Sequence, residues 1–338
     1  MKLMIQIPCL DEEATLPATL QAIPRSLEGI DCIEILVVDD GSTDRTAEVA
    51  REHGVQHVVR FAANRGLGHA FAAGMDYCLQ QDADIIVNTD GDNQYCGEDI
   101  AKLIRPIMEG RAELVIGDRR PGEISHFSPT KRRLQKLGSR TVSRLANLHV
   151  PDVASGFKAY SREAASRINT FAEFDHTVDH VIQAGRRRIP TVSVPIRTNE
   201  SLRESRLFSN VGEFIARSAG VMLRVYSSYG AMKVFATVGG LVMSAGVFLG
   251  LRFVYFFLFS EHHSLHVQSL ILAAILMLAG FQMLLTGIVA DLINGSRNLL
   301  EDVSYRLRRL ETDGRSADKK NGGRANSSPG ADSRGGDA

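Results

Sequence analysis

Short apolar runs and longer amphipathic stretches alternate along the N-terminal part of the chain. Residues 3–7, 33–38, 55–61, 84–89 and 113–116 are apolar and β-prone, and they predict strands. Residues 14–27, 43–53, 67–80 and 98–109 carry helical periodicity between them. Strands spaced by helices of this length predict an α/β fold on a doubly wound, mostly parallel sheet. In such a sheet ligands gather outside the carboxyl ends of the strands. Polar clusters fall at those ends: Pro8-Cys9-Leu10-Asp11-Glu12 after the first strand, Asp39-Asp40-Gly41-Ser42 after the second, Asn64-Arg65-Gly66-Leu67-Gly68 after the third and Asp90-Gly91-Asp92 after the fourth. A single cluster of this kind is a turn, whereas four on one edge outline a pocket.

The C-terminal pattern is different. Residues 232–259 and 265–293 are almost continuously apolar, and about 20 such residues cross ~30 Å of hydrocarbon. The linker, residues 260–264, carries no Lys or Arg, whereas Arg217, Arg224 and Lys233 precede the pair and Arg297, Arg306, Arg308 and Arg309 follow it. The positive-inside rule then expects a multi-pass protein of the cell membrane with its N-terminal region and both termini in the cytoplasm. Arg252 lies near the linker end of the first span, where snorkelling to the surface is expected. Residues 208–229 have an amphipathic pattern suited to lying on a membrane surface. Leu299, Leu300, Val303, Leu307 and Leu310 form a later stripe, a candidate surface for a homo-oligomer. The expected organisation is a catalytic-sized domain over 1–206, a juxtamembrane helix over 207–231, a two-helix hairpin over 232–293, an amphipathic helix over 294–311 and a disordered tail over 312–338.

Composition narrows the function. The 39 basic and 39 acidic residues cancel, so no global field draws the chain to nucleic acid, and any electrostatic function is local. The four cysteines form no CxxC pair and read as reduced thiols. Pro8 and the acidic Asp11-Glu12-Glu13 break the opening apolar run, so no signal peptide is expected.

The chemistry concentrates in NTDGDNQY, residues 88–95. Asp90 and Asp92 with the amide of Gln94 make a set of hard oxygen donors that suits Mg²⁺ or Mn²⁺ bound together with phosphates. Paired carboxylates for acid/base work flank a reacting bond, which neighbours on one turn fit poorly. On spacing alone a solvated turn remains open. His176 and His180 have metal-pair spacing without an evident third ligand, so zinc is not expected.

The segments IPCLDEE, VVDDGSTDRT, NRGLGHAFAAG, NTDGDNQY, VIGDRR and SGFKAYS follow one another in an order that resembles the family 2 glycosyltransferases of GT-A fold. Within that family the chain is similar to polyprenyl-phosphate sugar transferases such as the dolichyl-phosphate mannose synthases, over about residues 1–225. The resemblance implies a GT-A-like sheet followed by an interfacial helix and two transmembrane helices. It implies that Pro8, Leu10 and Glu12 line a nucleotide pocket, that Val37 and Asp39 hold the base, and that Asp90 and Gly91 meet the nucleotide. Asp90, Asp92 and Gln94 would ligate the metal. Arg119 and Arg132 would serve the acceptor phosphate or sugar, and Arg203 or Arg206 would sit on a loop over the site. Asp152 falls in the segment that approaches the sugar in relatives, and Asp179 stands where they often have Glu. Relatives commonly carry an aromatic residue and Asn where this chain has Leu10 and Asp11, which removes one stacking contact and leaves the base open.

The implied reaction is inverting transfer of a sugar from a nucleoside diphosphate to a membrane polyprenyl phosphate. A phosphate acceptor is already anionic at neutral pH, since its second pKa is about 6. The alternative is a glycolipid or other hydroxyl acceptor, which needs a general base. A processive polysaccharide synthase is disfavoured, because such relatives use a QxxRW motif and this chain has no Trp. A membrane scaffold without activity would leave the pocket-edge carboxylates idle.

Overall fold

The computed structural model describes residues 1–120, 138–144, 146–169, 176–199, 231–259 and 267–325. The chain divides into two units, one of Met1–Glu204 with Asp302–Ala338 and one of Ser205–Glu301.

The first unit is built on seven strands: β1 (Lys2–Cys9), β2 (Cys32–Asp39), β3 (His57–Arg60), β4 (Ile85–Asn88), β5 (Leu114–Asp118), β6 (Lys158–Ser161) and β7 (Thr191–Pro195). Their order across the sheet is β3-β2-β1-β4-β6-β5-β7. β1 runs parallel to β2 and β4, β2 to β3, and β5 to β7. β6 alone runs antiparallel, to both β4 and β5, so β5 points the same way as β4. All strands but one therefore end on a common edge. The mostly parallel, doubly wound sheet is as the sequence predicts, with two strands added to it, β6 between β4 and β5 and β7 beyond β5.

Both faces of the sheet are covered, which explains the unbroken apolar runs: Leu3, Met4, Ile5 and Ile7 of β1 and Ile85, Ile86 and Val87 of β4 have no exposed surface. Helix α1 (Leu16–Ala22) is shorter than its predicted span; Pro24 follows it, and a proline cannot continue a helix hydrogen-bond ladder. Helix α2 covers Thr46–Glu52, α3 covers Leu67–Gln80 and α4 covers Ile100–Met108. In α3 the side chains of Ala70, Phe71, Met75, Cys78 and Leu79 are buried at helical spacing. Gly74 lets this helix close on β1, because a Cβ there would lie 2.4 Å from the Gln6 Oε1 atom. Burying a Phe71-sized side chain stabilises by about 1.5–3 kcal/mol.

Among the described residues, the second unit contains two helices long and apolar enough to cross a membrane, over Met232–Phe259 and Gln268–Ile293. Only 11% and 17% of their apolar windows are buried, which is the reverse of a soluble core helix. They meet through small residues. A Cβ on Gly246 would lie 2.8 Å from the Met277 amide nitrogen, and one on Gly280 would lie 2.7 Å from that of Met243. Close backbone approach of this kind is how apolar helices pack where lipid removes the hydrophobic driving force.

The second span belongs to one unbroken helix, Val267–Ala325. It runs through the boundaries expected at 294 and 312, and over the first part of the expected disordered tail. Extending a formed helix needs no new nucleus, so polar sequence can prolong it. Residues 207–230 and 326–338, including the expected juxtamembrane helix, lie outside the described residues.

Candidate active site

The common edge gathers the polar clusters. After β2, the Ser42 amide donates to the Asp39 Oδ1 atom at 2.8 Å, and the Arg60 Nε lies 3.1 Å from Oδ2. Asp40 accepts the Arg65 and Gly66 amides at 2.8 and 2.9 Å, fastening the loop that opens α3. Gly41 has φ +74°, and a Cβ on it would lie 2.5 Å from the Ala63 carbonyl carbon; only glycine suits both demands. Beside this turn Gly41, Ser42, Arg60, Phe61 and Ala62 line a cavity of about 430 Å³. Arg65 stacks over Phe61, its guanidinium carbon 5.2 Å from the ring centre.

The turn after β4 is held from beneath and from the side. Thr19 donates to the Gly91 carbonyl at 3.1 Å, and a Cβ on Gly91 would lie 2.9 Å from the Cys9 Sγ and 3.3 Å from the Glu12 Cγ. Glu12 is buried and accepts the Thr15 hydroxyl at 2.6 Å. Asp92 accepts the Gln94 amide at 3.1 Å, and Asn93 takes the left-handed conformation at φ 57°. The segment after β7 then straps the turn: the Asn199 amide donates to the Gln94 carbonyl at 2.9 Å and its side chain donates to the Asn93 backbone carbonyl at 3.0 Å. Arg197 anchors the strap on buried Asp99, with backbone and guanidinium bonds of 2.7 to 3.1 Å.

Asp90 is the electrostatic centre of this turn. Burial, and after it the neighbouring Asp92 carboxylate, push its pKa up to about 7, against the opposing pull of Arg119. Arg119 sits at the end of β5 and forks onto Asp152, with Nε 2.7 Å from Oδ2 and a terminal nitrogen 3.0 Å from Oδ1. Asp152 also accepts the Arg119 amide at 3.3 Å. The pair is nearly enclosed, with 10% and 2% of the two side chains exposed. Against the cost of burial, the Tyr95 oxygen and the Asp152 and Asp90 carboxylates raise the Arg119 pKa.

The structure thus brings Asp90, Gly91, Asp92, Gln94, Glu12 and Asp39 to one edge, with Arg119 just after β5 and Asp152 in the loop before β6. Leu10 is partly exposed, whereas Pro8 is buried and Val37 lies in the hydrophobic core with no exposed surface. Asp179 accepts from Gln183 at 2.9 Å. His180 is fully buried between Phe71 and Tyr160, its Nδ1 2.9 Å from the Tyr160 hydroxyl. Arg132, Arg203 and Arg206 lie outside the described residues. Sequence reasoning did not single out Tyr95, Arg60 or Asn199. Tyr95 was visible as the aromatic end of NTDGDNQY, but Gly156 and Phe157, which hold it, lie far off along the chain.

The sequence pattern of glycosyl transferase family 2 matches residues 4–168, and the glycosyltransferase AglJ of Haloferax volcanii is 30% identical over 77% of this chain and 84% of its own length. This chain belongs to glycosyl transferase family 2. It is also 29% identical to the polyprenol monophosphomannose synthase of Mycolicibacterium smegmatis, over 68% of this chain and 91% of that protein. Among solved structures, the Mycobacterium tuberculosis glucosyl-3-phosphoglycerate synthase, in complex with Mn²⁺, UDP and glucosyl-3-phosphoglycerate, superposes with a TM-score of 0.52. It covers 68% of this chain and 80% of that one at 21% identity, a likeness that shows the GT-A fold. As a family 2 member the chain is a glycosyltransferase, and its strand-end clusters stand on the edge where a GT-A sheet presents its ligands.

A divalent cation fits the residues present. Asp90 and Asp92 are neighbouring carboxylates on one half-buried turn, and each raises the cost of charge on the other in a way that a divalent cation would relieve. The donors are hard oxygens of the kind Mg²⁺ and Mn²⁺ prefer.

Proposed function

We propose that this glycosyltransferase moves a sugar from a nucleoside diphosphate to a polyprenyl phosphate, inverting the anomeric carbon. The observation that carries the reading is the Asp90-Gly91-Asp92 turn, charge-frustrated and strapped, on the same edge as a nearly enclosed Arg119, in a chain with two helices able to span a bilayer. Relatives named for polyprenol and undecaprenyl phosphate acceptors support it.

The donor's base would enter the cavity beside Ser42 and Arg60, with Asp39 at its edge, and its diphosphate would reach the turn after β4. Asp90, Asp92 and Gln94 would hold Mg²⁺ or Mn²⁺, which when bound supplies Lewis-acid stabilisation of the departing diphosphate. An acceptor phosphate oxygen attacks the anomeric carbon from the opposite face. The new C–O bond forms as the bond to the diphosphate breaks, and the nucleoside diphosphate leaves with that electron pair. The phosphate is already ionised, so no base has to remove a proton. Asp152 has both oxygens committed to Arg119, which argues against a base for a hydroxyl acceptor. Arg119, and from outside the described residues Arg132, Arg203 and Arg206, supply cations for the acceptor phosphate.

The charge distribution around the apolar helices supports a catalytic unit and termini on the cytoplasmic side. A panel of UDP-, GDP- and TDP-sugars against polyprenyl phosphate and glycolipid acceptors, with Mg²⁺ or Mn²⁺, tests the reading. Transfer to lipid phosphate is the expected result, and transfer confined to a hydroxyl acceptor overturns it.

A further inference from the structure

The loop before β6 reaches back to the turn after β4 through one tyrosine. The Tyr95 hydroxyl accepts the Gly156 amide at 3.0 Å and draws the pKa of the neighbouring Asp90 carboxylate down. Its ring is buried and lies flat on Phe157, with centres 5.0 Å apart and planes 14° off parallel. Gly156 is gripped on its other side as well, since Asn88 donates to its carbonyl at 2.8 Å and Gln6 in turn donates to Asn88 at 3.0 Å. The Gly156 backbone presses on the acid: a Cβ there would stand 3.1 Å from Asp90 Oδ1 and 3.2 Å from Oδ2.

Each contact limits the freedom of Asp90. The hydroxyl takes the Gly156 N–H on its lone-pair side, which holds the glycine backbone in place beside the carboxylate. The glycine forms a wall that a side chain would breach. The wall is itself tied to β1 and β4 by the Asn88 and Gln6 amides, so the acid inherits the rigidity of the sheet.

We propose that Tyr95 is a positioning residue for the divalent-cation clamp, its hydroxyl fixing the Asp90 carboxylate against the Gly156 wall in the orientation that receives the cation. This rests on the metal-dependent reading above and adds the group that sets its geometry. Loss of the hydroxyl frees the Gly156 wall and the carboxylate it holds, and is expected to weaken cation binding by about tenfold.

The test is Tyr95→Phe in the full-length protein in detergent micelles. The ring and its stacking on Phe157 remain, and only the hydroxyl is removed. Mn²⁺ affinity is read from the electron paramagnetic resonance signal of the free ion, with no substrate present, and thermal unfolding is followed in parallel. The expected result is a Mn²⁺ Kd raised about tenfold and a lower kcat with the donor KM little changed at saturating Mn²⁺. Gly156→Ala, which leaves the hydroxyl and pushes the carboxylate, is expected to weaken Mn²⁺ binding independently. Wild-type Mn²⁺ affinity in both variants, with only a lower unfolding temperature, overturns the inference and leaves the metal reading standing. Wild-type protein that binds no Mn²⁺ overturns the clamp itself and the inference with it.

Discussion

Removing the Asp152 carboxylate separates a structural partner from a chemical base. The pair with Arg119 is nearly enclosed, with 2% and 10% of the side chains exposed, and it rests on three contacts of 2.7, 3.0 and 3.3 Å. Asp152→Ala strands a guanidinium in the interior, and breaking one side of such a pair costs about 3–5 kcal/mol. At about 2–4 °C per kcal/mol for a unit of this size, unfolding moves down by roughly 10 °C. Asp152→Asn keeps an acceptor and loses the charge, so it falls between. Replacing both partners, as Asp152→Leu with Arg119→Met, destabilises less than Asp152→Ala, because no buried charge is left alone. The chain has no Trp, but Cys9 and Cys78 are buried free thiols, so a thiol-reactive fluorophore reports unfolding of the detergent-solubilised protein. Wild-type stability in Asp152→Ala together with lost turnover refutes the reasoning. That outcome makes Asp152 a group acting on the acceptor and reopens the hydroxyl-acceptor reaction.

Other outcomes follow from the same geometry. Asp92→Asn is expected to abolish most metal-dependent turnover without lowering the stability of the metal-free protein, since it removes one of two repelling carboxylates; equal turnover, measured across Mg²⁺ concentrations, would remove Asp92 from the clamp. Asp90 has its folded pKa raised from 3.8 to about 7, so the folded state holds the proton more tightly than the unfolded state. Stability from this group is therefore complete below about pH 4 and lost as pH rises through 7, by about 4 kcal/mol at most. Circular dichroism melts of metal-free protein at pH 5.5 and 8 should show this slope in the wild type and not in Asp90→Asn, and Mg²⁺ should flatten it. In the apolar hairpin, Gly246→Leu forces a side chain against the backbone of the facing helix, 2.8 Å from the Met277 nitrogen. Cysteine cross-linking between the two helices should then fall, and unchanged cross-linking would contradict the observed packing.

The elements most legible in the sequence are those with long, regular patterns. Helix α3 lies at Leu67–Gln80 as predicted, because its apolar positions repeat over several turns and Gly66 and Gln81 bracket them. The two apolar spans were equally readable, since length alone decides them. β6 was not, because Lys158–Ser161 is four residues with a lysine and a tyrosine in it. It is a strand only because β4 and β5 offer it hydrogen bonds on both sides. The continuation of the helix over residues 312–325 is hidden for a related reason, since composition does not show that a helix arrives there already formed.

The candidate site divides along the same line. Asp90, Gly91, Asp92 and Gln94 lie within one turn, and their spacing, position after a strand and oxygen chemistry could be read directly from the chain. The couplings that give those residues their properties span far larger separations. Arg119 meets Asp152 across 33 positions, Tyr95 meets Gly156 across 61, and Asn199 reaches Asn93 across 106. Local order in a sequence specifies turns, periodicities and donor types, because those depend on neighbours. Which carboxylate is desolvated, which arginine is already paired and which hydroxyl faces the acid depend on strands brought together by the sheet, and they emerge only when the chain has folded.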